Sequence, residues 1–322
     1  MKAVTFKQLR ALAATARTGS VSDAAKWLNV TPPAVTLQLQ QLEASARVPL
    51  LERTSQGFRP TAAGKHLLAA AEHIEAILQE CGTTLESMRG LRKGHVTLGA
   101  VSTAKYFAPG AIAAFARRYP HVEHRLVVGN RNETIAALER YEVDFAIMGR
   151  PPEHFEIESV PIARHPHVII AAPSHALASE SRVRTSRLGK ERILAREKGS
   201  GTRALLERTL EAAGHEPDFS MEMDSNETIK QAVMAGLGIA LISAHTIAAE
   251  IADGRLIMLD VEGFPIERHW HIVRRKDRRP PPAVQAFWSF LEREANGLLP
   301  HVAALDQPRP ADATVGKRKR AV

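Results

Sequence analysis

Cysteine and aromatic residues are scarce in this 322-residue chain: it has one cysteine, three tyrosines and three tryptophans. Because Cys81 has no second cysteine to pair with, an internal disulfide is excluded, and the sequence predicts a cytoplasmic protein. No apolar run approaches the roughly 20 residues of a membrane helix, and early charges argue against a signal peptide. Hydrophobic residues at 44% and charged residues at 24% are instead typical of a globular protein.

Acidic residues are also scarce at the two ends of the chain, and these ends carry the whole net charge of +8. Residues 1–62 hold eight Lys or Arg against three Asp or Glu, and residues 297–322 hold five against two. A basic amino-terminal module favours a polyanionic partner, since Lys and Arg release counterions from phosphates, although a solvated surface would show the same charge. Residues 297–322 are polar and rich in proline, which predicts a disordered basic tail.

The amino-terminal segment, residues 1–64, is predicted to contain three helices. Apolar residues recur at helical spacing from Val4 to Ala16, and two shorter helical segments follow after tight breaks. Two short helices joined by a tight turn form a helix-turn-helix. The boundary signals are Gly19 at the first helix end, Ser20 or Ser22 as the second cap, Leu28 at the second helix end, and Thr31 before Pro32 and Pro33 at the third start.

The third helix has one apolar side and one uncharged polar side. Val35, Leu39 and Leu42 are spaced four and three apart and face the predicted core. The opposite side carries uncharged hydrogen-bonding side chains and an exposed leucine, which can contact base edges and thymine methyl groups. A purely structural helix would usually carry charged residues on this side. This side consists of Pro33, Thr36, Leu37, Gln40 and Gln41.

A turn-rich stretch from Arg53 to Thr61 is predicted to form a β wing whose arginines contact phosphate or the minor groove. Together with the helix-turn-helix it predicts a winged DNA-binding domain. The candidate DNA contacts are Ser22, Thr31, Pro32, Pro33, Thr36, Leu37, Gln40, Arg53 and Arg59.

These residues resemble the amino-terminal signature of LysR-type transcriptional regulators. Three departures are that the family's Leu-Gly pair after the recognition helix is Ala46-Arg47 here, that its Phe before the wing is Leu51, and that a usual polar recognition residue is Leu37. The resemblance implies sequence-specific binding to double-stranded DNA. It rests on Ala24-Ala25, Leu28, Val30-Thr31, Ala34-Val35-Thr36, Leu42-Glu43, Leu50, Arg53 and Thr61-Ala62-Ala63-Gly64.

Residues 65–92 are predicted to form a linker helix that joins two copies of the chain. Apolar residues there are spaced 4-3-4-3-4-3, which is a heptad seam of about three repeats. A homodimer would place two recognition helices about 34 Å apart on a palindromic operator. The resemblance implies further pairing into tetramers. The seam consists of Leu67, Ala71, Ile74, Leu78, Cys81, Leu85 and Met88, in which Cys81 is interpreted as a small buried hydrophobe.

Strands and helices alternate in residues 93–296, which predicts an α/β effector domain. Apolar runs at 168–172 and 239–242 suit strands that are covered on both faces. The resemblance implies two subdomains, similar to periplasmic binding proteins, around an effector cleft. Residues 95–162 and 266–294 would form the first subdomain and residues 163–265 the second.

Four strand-to-helix junctions carry small hydroxyl or amide residues, and such junctions attract anions. Each alone is consistent with an ordinary helix cap, whereas four together favour a cleft for a small anion. The resemblance assigns Ser102, Asn130, Gly149, Thr202 and Asn226 to that cleft, and nearby Lys105 and Arg150 would complement a phosphate. The candidate effector contacts are Ser102, Thr103, Asn130, Arg131, Gly149, Ser200, Thr202, Arg203, Asn226, Glu227 and Thr228.

Three stretches resemble more closely the Calvin-cycle regulators of this family, which control carbon-dioxide-fixation operons. They are residues 98–109, 129–131 and 143–152. This resemblance implies activation of such an operon and an effector that is a phosphorylated metabolite or NADPH. Effector binding would change subdomain closure, and the linker helices would convert that change into DNA bending.

Enzymatic motifs are weak in this sequence, and we expect a regulator with no cofactor and no metal. The Gly199–Thr202 stretch lacks the lysine of a nucleotide P-loop. The pairs His165/His167 and His269/His271 have no third ligand at a diagnostic spacing, so surface histidines are the interpretation. One alternative is a LysR-type regulator of another metabolic operon. The other, from a different class, is a dimeric small-molecule-binding or transferase domain that does not bind DNA specifically.

Overall fold

The computed structural model describes residues 4–88, 94–216 and 218–305, with only the backbone described for residues 79, 80 and 83–88. The chain divides into two compact units, of which the first comprises residues 1–93 and 139–142 and the second the rest. The described part of the first unit contains four helices and two short strands. They are α1 (Phe6–Thr18), α2 (Val21–Leu28), α3 (Pro32–Ala46), β1 (Leu51–Thr54), β2 (Gly57–Pro60) and α4 (Ala62–Met88).

The boundaries in the first unit follow local capping chemistry. Thr5 and Gln8 form a reciprocal capping box at the start of α1, and Gly19 ends that helix in the left-handed conformation. Ser20, and not Ser22, caps α2 by accepting a hydrogen bond from Asp23 N. These caps fix α2 and α3 as a helix-turn-helix.

The inner side of α3 packs into the core of the first unit, as the spacing predicts. Val35 and Leu42 are buried, and Leu39 packs against both apolar clusters of this unit. At the far end of α3, Glu43 Oε1 accepts hydrogen bonds from the backbone of Leu50 at 2.7 Å and Leu51 at 3.2 Å. The wing is thereby tied to the recognition helix.

The heptad interpretation of α4 is wrong for its first two positions. Ala71 is buried in the cluster that contains Leu9, Leu12 and Leu42, and Leu67 packs against the same cluster. These residues therefore serve the core of their own domain. The side chains of Leu85 and Met88 lie outside the described residues.

The second unit contains ten strands and seven helices in its described part. The strands are β3 (Gly94–Val101), β4 (Val122–Gly129), β5 (Phe145–Met148), β6 (Ile157–Arg164), β7 (His167–Ala171), β8 (Leu194–Arg196), β9 (Met221–Met223), β10 (Ala240–Ser243), β11 (Ile257–Met258) and β12 (His269–Arg275). The helices are α5 (Ala108–Arg118), α6 (Arg131–Glu139), α7 (Thr185–Leu188), α8 (Gly201–Ala212), α9 (Asn226–Met234), α10 (Ala248–Ala252) and α11 (Pro282–Glu294).

Two main sheets divide this unit into two subdomains. The first sheet has the order β4-β3-β5-β12-β6, in which β3 is parallel to β4 and β5 and β12 is antiparallel to its neighbours. The second has the order β10-β7-β11, and all its pairs are antiparallel. The chain crosses between the sheets after β6 and again before β12. This mixed α/β architecture positions a cleft where the crossings lie.

The predicted tail begins too early. Val302 is buried in the apolar cluster around β7, β10 and α9, and Leu305 packs against that cluster. Leu298 and Leu299 pack against the core of the first subdomain, so residues 297–305 are held by apolar contacts to both subdomains. Residues 306–322 lie outside the described residues.

Candidate nucleic-acid interface and effector cleft

The outer side of α3 is exposed as a contiguous surface. Pro33, Thr36, Leu37, Gln40 and Gln41 are all exposed, and half of the Leu37 surface is accessible. The Thr36 hydroxyl donates to Pro32 O at 3.1 Å, and Gln41 Oε1 accepts from Gln8 Nε2 at 3.2 Å. Leu37 and Gln40 therefore present an apolar patch and an amide beside each other, which suits readout in a major groove.

The remaining candidate DNA contacts surround this helix side. Ser22, Thr31 and Pro32 are exposed, and the Thr31 side chain makes no capping hydrogen bond to α3. Arg53 and Arg59 are exposed on the two antiparallel strands of the wing. The Arg59 guanidinium donates to Gln56 Oε1, which holds it at the wing tip. Both arginines are available for backbone phosphates.

A short apolar stripe on α4 is also exposed. Ile74, Ile77 and Leu78 expose 39%, 44% and 51% of their surfaces, and Cys81 is exposed one turn further on. The sequence predicts a buried Cys81, whereas in a single copy of the chain this residue is exposed. Residues spaced three and four apart on a helix form one face, so these residues form one apolar strip.

The cleft of the second unit lies at the carboxyl ends of the parallel strands β3, β4 and β5. Ser102 and Thr103 follow β3, Asn130 follows β4 and Gly149 follows β5. From the second subdomain, Ser200 caps α8 and Thr202 lies in its first turn. The dipoles of α6 and α8, whose amino-terminal ends lie at this cavity, make it an anion-binding environment.

Seven of the eleven predicted effector contacts line this cavity, and four do not. Arg203 is one of the four, because its guanidinium pairs with Glu207 at 2.8 Å, pairs with Glu222 and lies over the Phe219 ring. It neutralises two carboxylates outside the cavity. Asn226, Glu227 and Thr228 at the start of α9 also lie outside the lining. Those that line it are Ser102, Thr103, Asn130, Arg131, Gly149, Ser200 and Thr202.

Arg196 holds the two sides of the cleft together, and the sequence does not predict this role. Its guanidinium is 2% exposed and donates to the Glu197 carboxylate at 2.8 and 3.0 Å. It also donates to Asn226 Oδ1 and, across the cleft, to Ser102 Oγ at 3.1 Å. The only sequence signal is a cation placed directly after the apolar run 193–195.

Two further contacts cross the cleft. The Tyr106 hydroxyl donates to Glu227 Oε1, and Asn132 N donates to Gly199 O at 3.3 Å. Burial and the neighbouring Glu227 raise the pKa of Tyr106, so its hydroxyl keeps its proton. The cleft is therefore closed by hydrogen bonds that opening would break.

Three arginines give the cavity a positive potential. Arg131, Arg150 and Arg268 line it, and in the described part of the chain no carboxylate does. Burial and the charges of Arg150 and Arg208 lower the pKa of Arg131, and burial with Arg208, Arg150 and Arg131 lowers that of Arg268. Arg150 is paired with Glu153 at 2.9 Å, whereas Arg131 and Arg268 donate to backbone carbonyls. An anionic ligand would relieve this repulsion.

The interpretation of His165 and His167 as surface histidines is wrong. Both are buried, 3% and 2% exposed, where the chain crosses between the two sheets, and both line the cavity.

No helix of the described chain is both long and apolar enough to span a membrane. Within the same residues, no cluster of three or more His, Cys, Asp or Glu could hold a metal ion.

Comparison with protein families assigns both units. The model of the bacterial regulatory helix-turn-helix proteins of the lysR family matches residues 6–65. The model of the LysR substrate binding domain matches residues 89–296. These matches favour a DNA-binding regulator over the alternative of a dimeric domain without specific DNA binding.

Individual relatives and one solved structure agree with these matches. The chain is 49% identical over 300 residues to the HTH-type transcriptional regulator CbbR of Xanthobacter flavus, with 92% of this chain and 90% of that protein covered. It is 39% identical over 292 residues to the RuBisCO operon transcriptional regulator of Allochromatium vinosum, covering 91% and 97%. The regulatory domain of Synechocystis PCC6803 CcmR, solved in complex with 2-PG, is 34% identical with a TM-score of 0.60, covering 62% of this chain and 96% of that domain.

Proposed function

Because the chain belongs to the LysR family of bacterial transcriptional regulators, we propose that it controls a carbon-dioxide-fixation operon in response to a small phosphorylated anion bound in its cleft. The arginine-lined cavity carries the second part of this proposal. Arg131, Arg150 and Arg268 converge there with the amino-terminal ends of α6 and α8. Such a donor set complements a phosphate better than a neutral ligand.

Its relatives support the choice of operon. The relative from Allochromatium vinosum is named for the RuBisCO operon, and the related Synechocystis domain was solved with 2-PG. A phosphorylated metabolite or NADPH would report the carbon and redox state of the cell to such an operon. Regulation here is activation, carried by the bound anion shifting the closure of the cleft.

DNA recognition is assigned to the exposed side of α3 and to the wing. Leu37 and Gln40 reach base edges, and Arg53 and Arg59 hold the backbone. Two copies joined through Ile74, Ile77 and Leu78 of α4 present two such surfaces to a palindromic operator. We expect the dimer to pair further into a tetramer.

Isothermal titration calorimetry on the full-length protein tests the anion site. We expect phosphoenolpyruvate or NADPH to bind the wild type, and Arg268→Met to weaken binding by about tenfold or more, because a charge-assisted hydrogen bond is lost. Arg117→Met, which removes an exposed arginine of α5, should bind like the wild type. Equal affinity in Arg268→Met, or no binding of either compound to the wild type, would contradict the proposal.

A further inference from the structure

His165 is a buried polar side chain without a hydrogen-bond partner. It lies at the first crossing between the two sheets and lines the cavity together with Arg268 and Gly149. Neither Nδ1 nor Nε2 of its ring has a partner, although both atoms are inaccessible to water. A neutral imidazole always carries one N–H donor and one acceptor, so burying both unpaired is costly.

The groups that face this ring are aromatic, neutral or cationic. The Trp270 ring of β12 stacks on it with centroids 3.5 Å apart and planes 14° apart. His167 lies 4.2 Å away on β7, and His245 lies 6.3 Å away on the turn after β10. His271 faces the ring from β12, and Arg268 faces it from the position directly before β12. Arg131 and Arg150 line the same cavity. Burial, then His167, His245, Arg268 and His271, hold the pKa of His165 well below its usual value.

His167 lines the same cavity, but one of its ring nitrogens is already used in a hydrogen bond to the backbone. Its Nδ1 lies 3.1 Å from the carbonyl oxygen of His165, so this nitrogen carries the proton and donates it. The tautomer of His167 is thereby fixed, whereas His165 has no such constraint. His165 is the ring that a ligand can satisfy.

We propose that His165 is the proton-linked contact of the cleft: an anion bound among Arg131, Arg150 and Arg268 supplies the acceptor that the ring lacks, and the ring takes up one proton from solvent as the anion binds. Burial is the main cause that keeps the ring neutral, and the charge of Arg268 adds to it. The bound anion offsets both, because it accepts a hydrogen bond from the imidazolium and cancels the charge of Arg268. The Trp270 face then stabilises the imidazolium by a cation–π interaction. This inference rests on the proposed anion site and adds its regulation by pH.

The test is calorimetric titration of the full-length protein with phosphoenolpyruvate at pH 7.0, 7.5 and 8.0, in two buffers of different ionisation enthalpy. In this range the phosphate itself, with a second pKa near 6, changes little. For the wild type we expect net proton uptake and an affinity that rises as the pH falls, approaching tenfold per unit for one coupled proton.

Two variants complete the design. His165→Phe keeps a ring on Trp270 but has no nitrogen, so we expect weaker binding at pH 7.0, no proton uptake, and an equal or higher melting temperature, which shows that the variant folds. His121→Gln removes an exposed histidine and should behave like the wild type. If the wild type binds without proton uptake, or His165→Phe retains it, the inference on His165 is wrong and the anion site stands. If the wild type does not bind phosphoenolpyruvate, the anion site fails together with this inference.

Discussion

Replacing Arg196 by methionine should destabilise the second unit more than most single substitutions do. The guanidinium is 2% exposed and makes five hydrogen bonds, to Glu197, Asn226, Ser102 and the carbonyl of Asp224. Methionine fills the space but leaves the Glu197 carboxylate, whose side chain is only 18% exposed, without its cation. Breaking a buried pair from one side costs about 3–5 kcal/mol.

This cost can be converted into a melting temperature. In a domain of about 150–250 residues, 1 kcal/mol shifts the midpoint by roughly 2–4 °C, so Arg196→Met should lower it by about 6–20 °C. Tryptophan emission during heating measures this, because Trp270 and Trp288 are both buried in the second unit. The Arg196→Met, Glu197→Met double variant should recover part of the loss, because no carboxylate is then left unpaired. A shift below about 2 °C in the single variant would refute the reasoning.

Three further predictions concern other parts of the chain. Arg47 ends α3 at φ +57°, a left-handed conformation that costs most residues about 1 kcal/mol. Arg47→Gly should therefore raise the free energy of unfolding of the first unit by about 0.5–1 kcal/mol in urea titrations. A lower free energy of unfolding would contradict this. Arg53→Ala should remove one phosphate contact per copy, so the slope of log affinity against log salt should fall by about 1.8 in a dimer, whereas Arg117→Ala should leave it unchanged. Burial lowers the pKa of His167 to about 3 and that of His245 to about 4. Both rings therefore stay neutral in the folded protein while they take up protons in the unfolded chain below about pH 6.5. The free energy of unfolding should fall by about 2 kcal/mol for each histidine between pH 7 and pH 5. His167→Gln should therefore show a smaller drop in melting temperature over that range, and an equal drop would rule out this cause.

The sequence was sufficient to predict the recognition helix because its pattern is local. Val35, Leu39 and Leu42 form one side of a single helix, and this spacing alone decides which side is exposed. The strand β6 contains Pro161, which argues against a strand in the sequence, and proline is tolerated there because β6 is an edge strand whose pairing with β12 shifts register beside Pro161. The sheet order that makes it an edge strand depends on the whole fold.

For the cleft residues, the sequence predicts their position at the sheet edge but not the partners of their side chains. Ser102 and Asn130 follow parallel strands, so their place at the sheet edge follows from topology. Arg203 belongs to a similar junction, yet the helical turn directs it to Glu207 and Glu222 outside the cavity. The burial of His165 arises because the chain crosses the interior between two sheets at this residue, which no local pattern indicates.

The central claim is that the exposed side of α3 reads operator sequence, and fluorescence anisotropy with the DNA upstream of this gene tests it most directly. At one fixed salt concentration, the wild type should bind this DNA about 10³-fold or more tightly than a scrambled duplex of equal length. Gln40→Ala should lose affinity for the upstream DNA by about tenfold or more while keeping its affinity for the scrambled duplex. Equal binding of both duplexes by the wild type, or an unchanged preference in Gln40→Ala, would contradict the account.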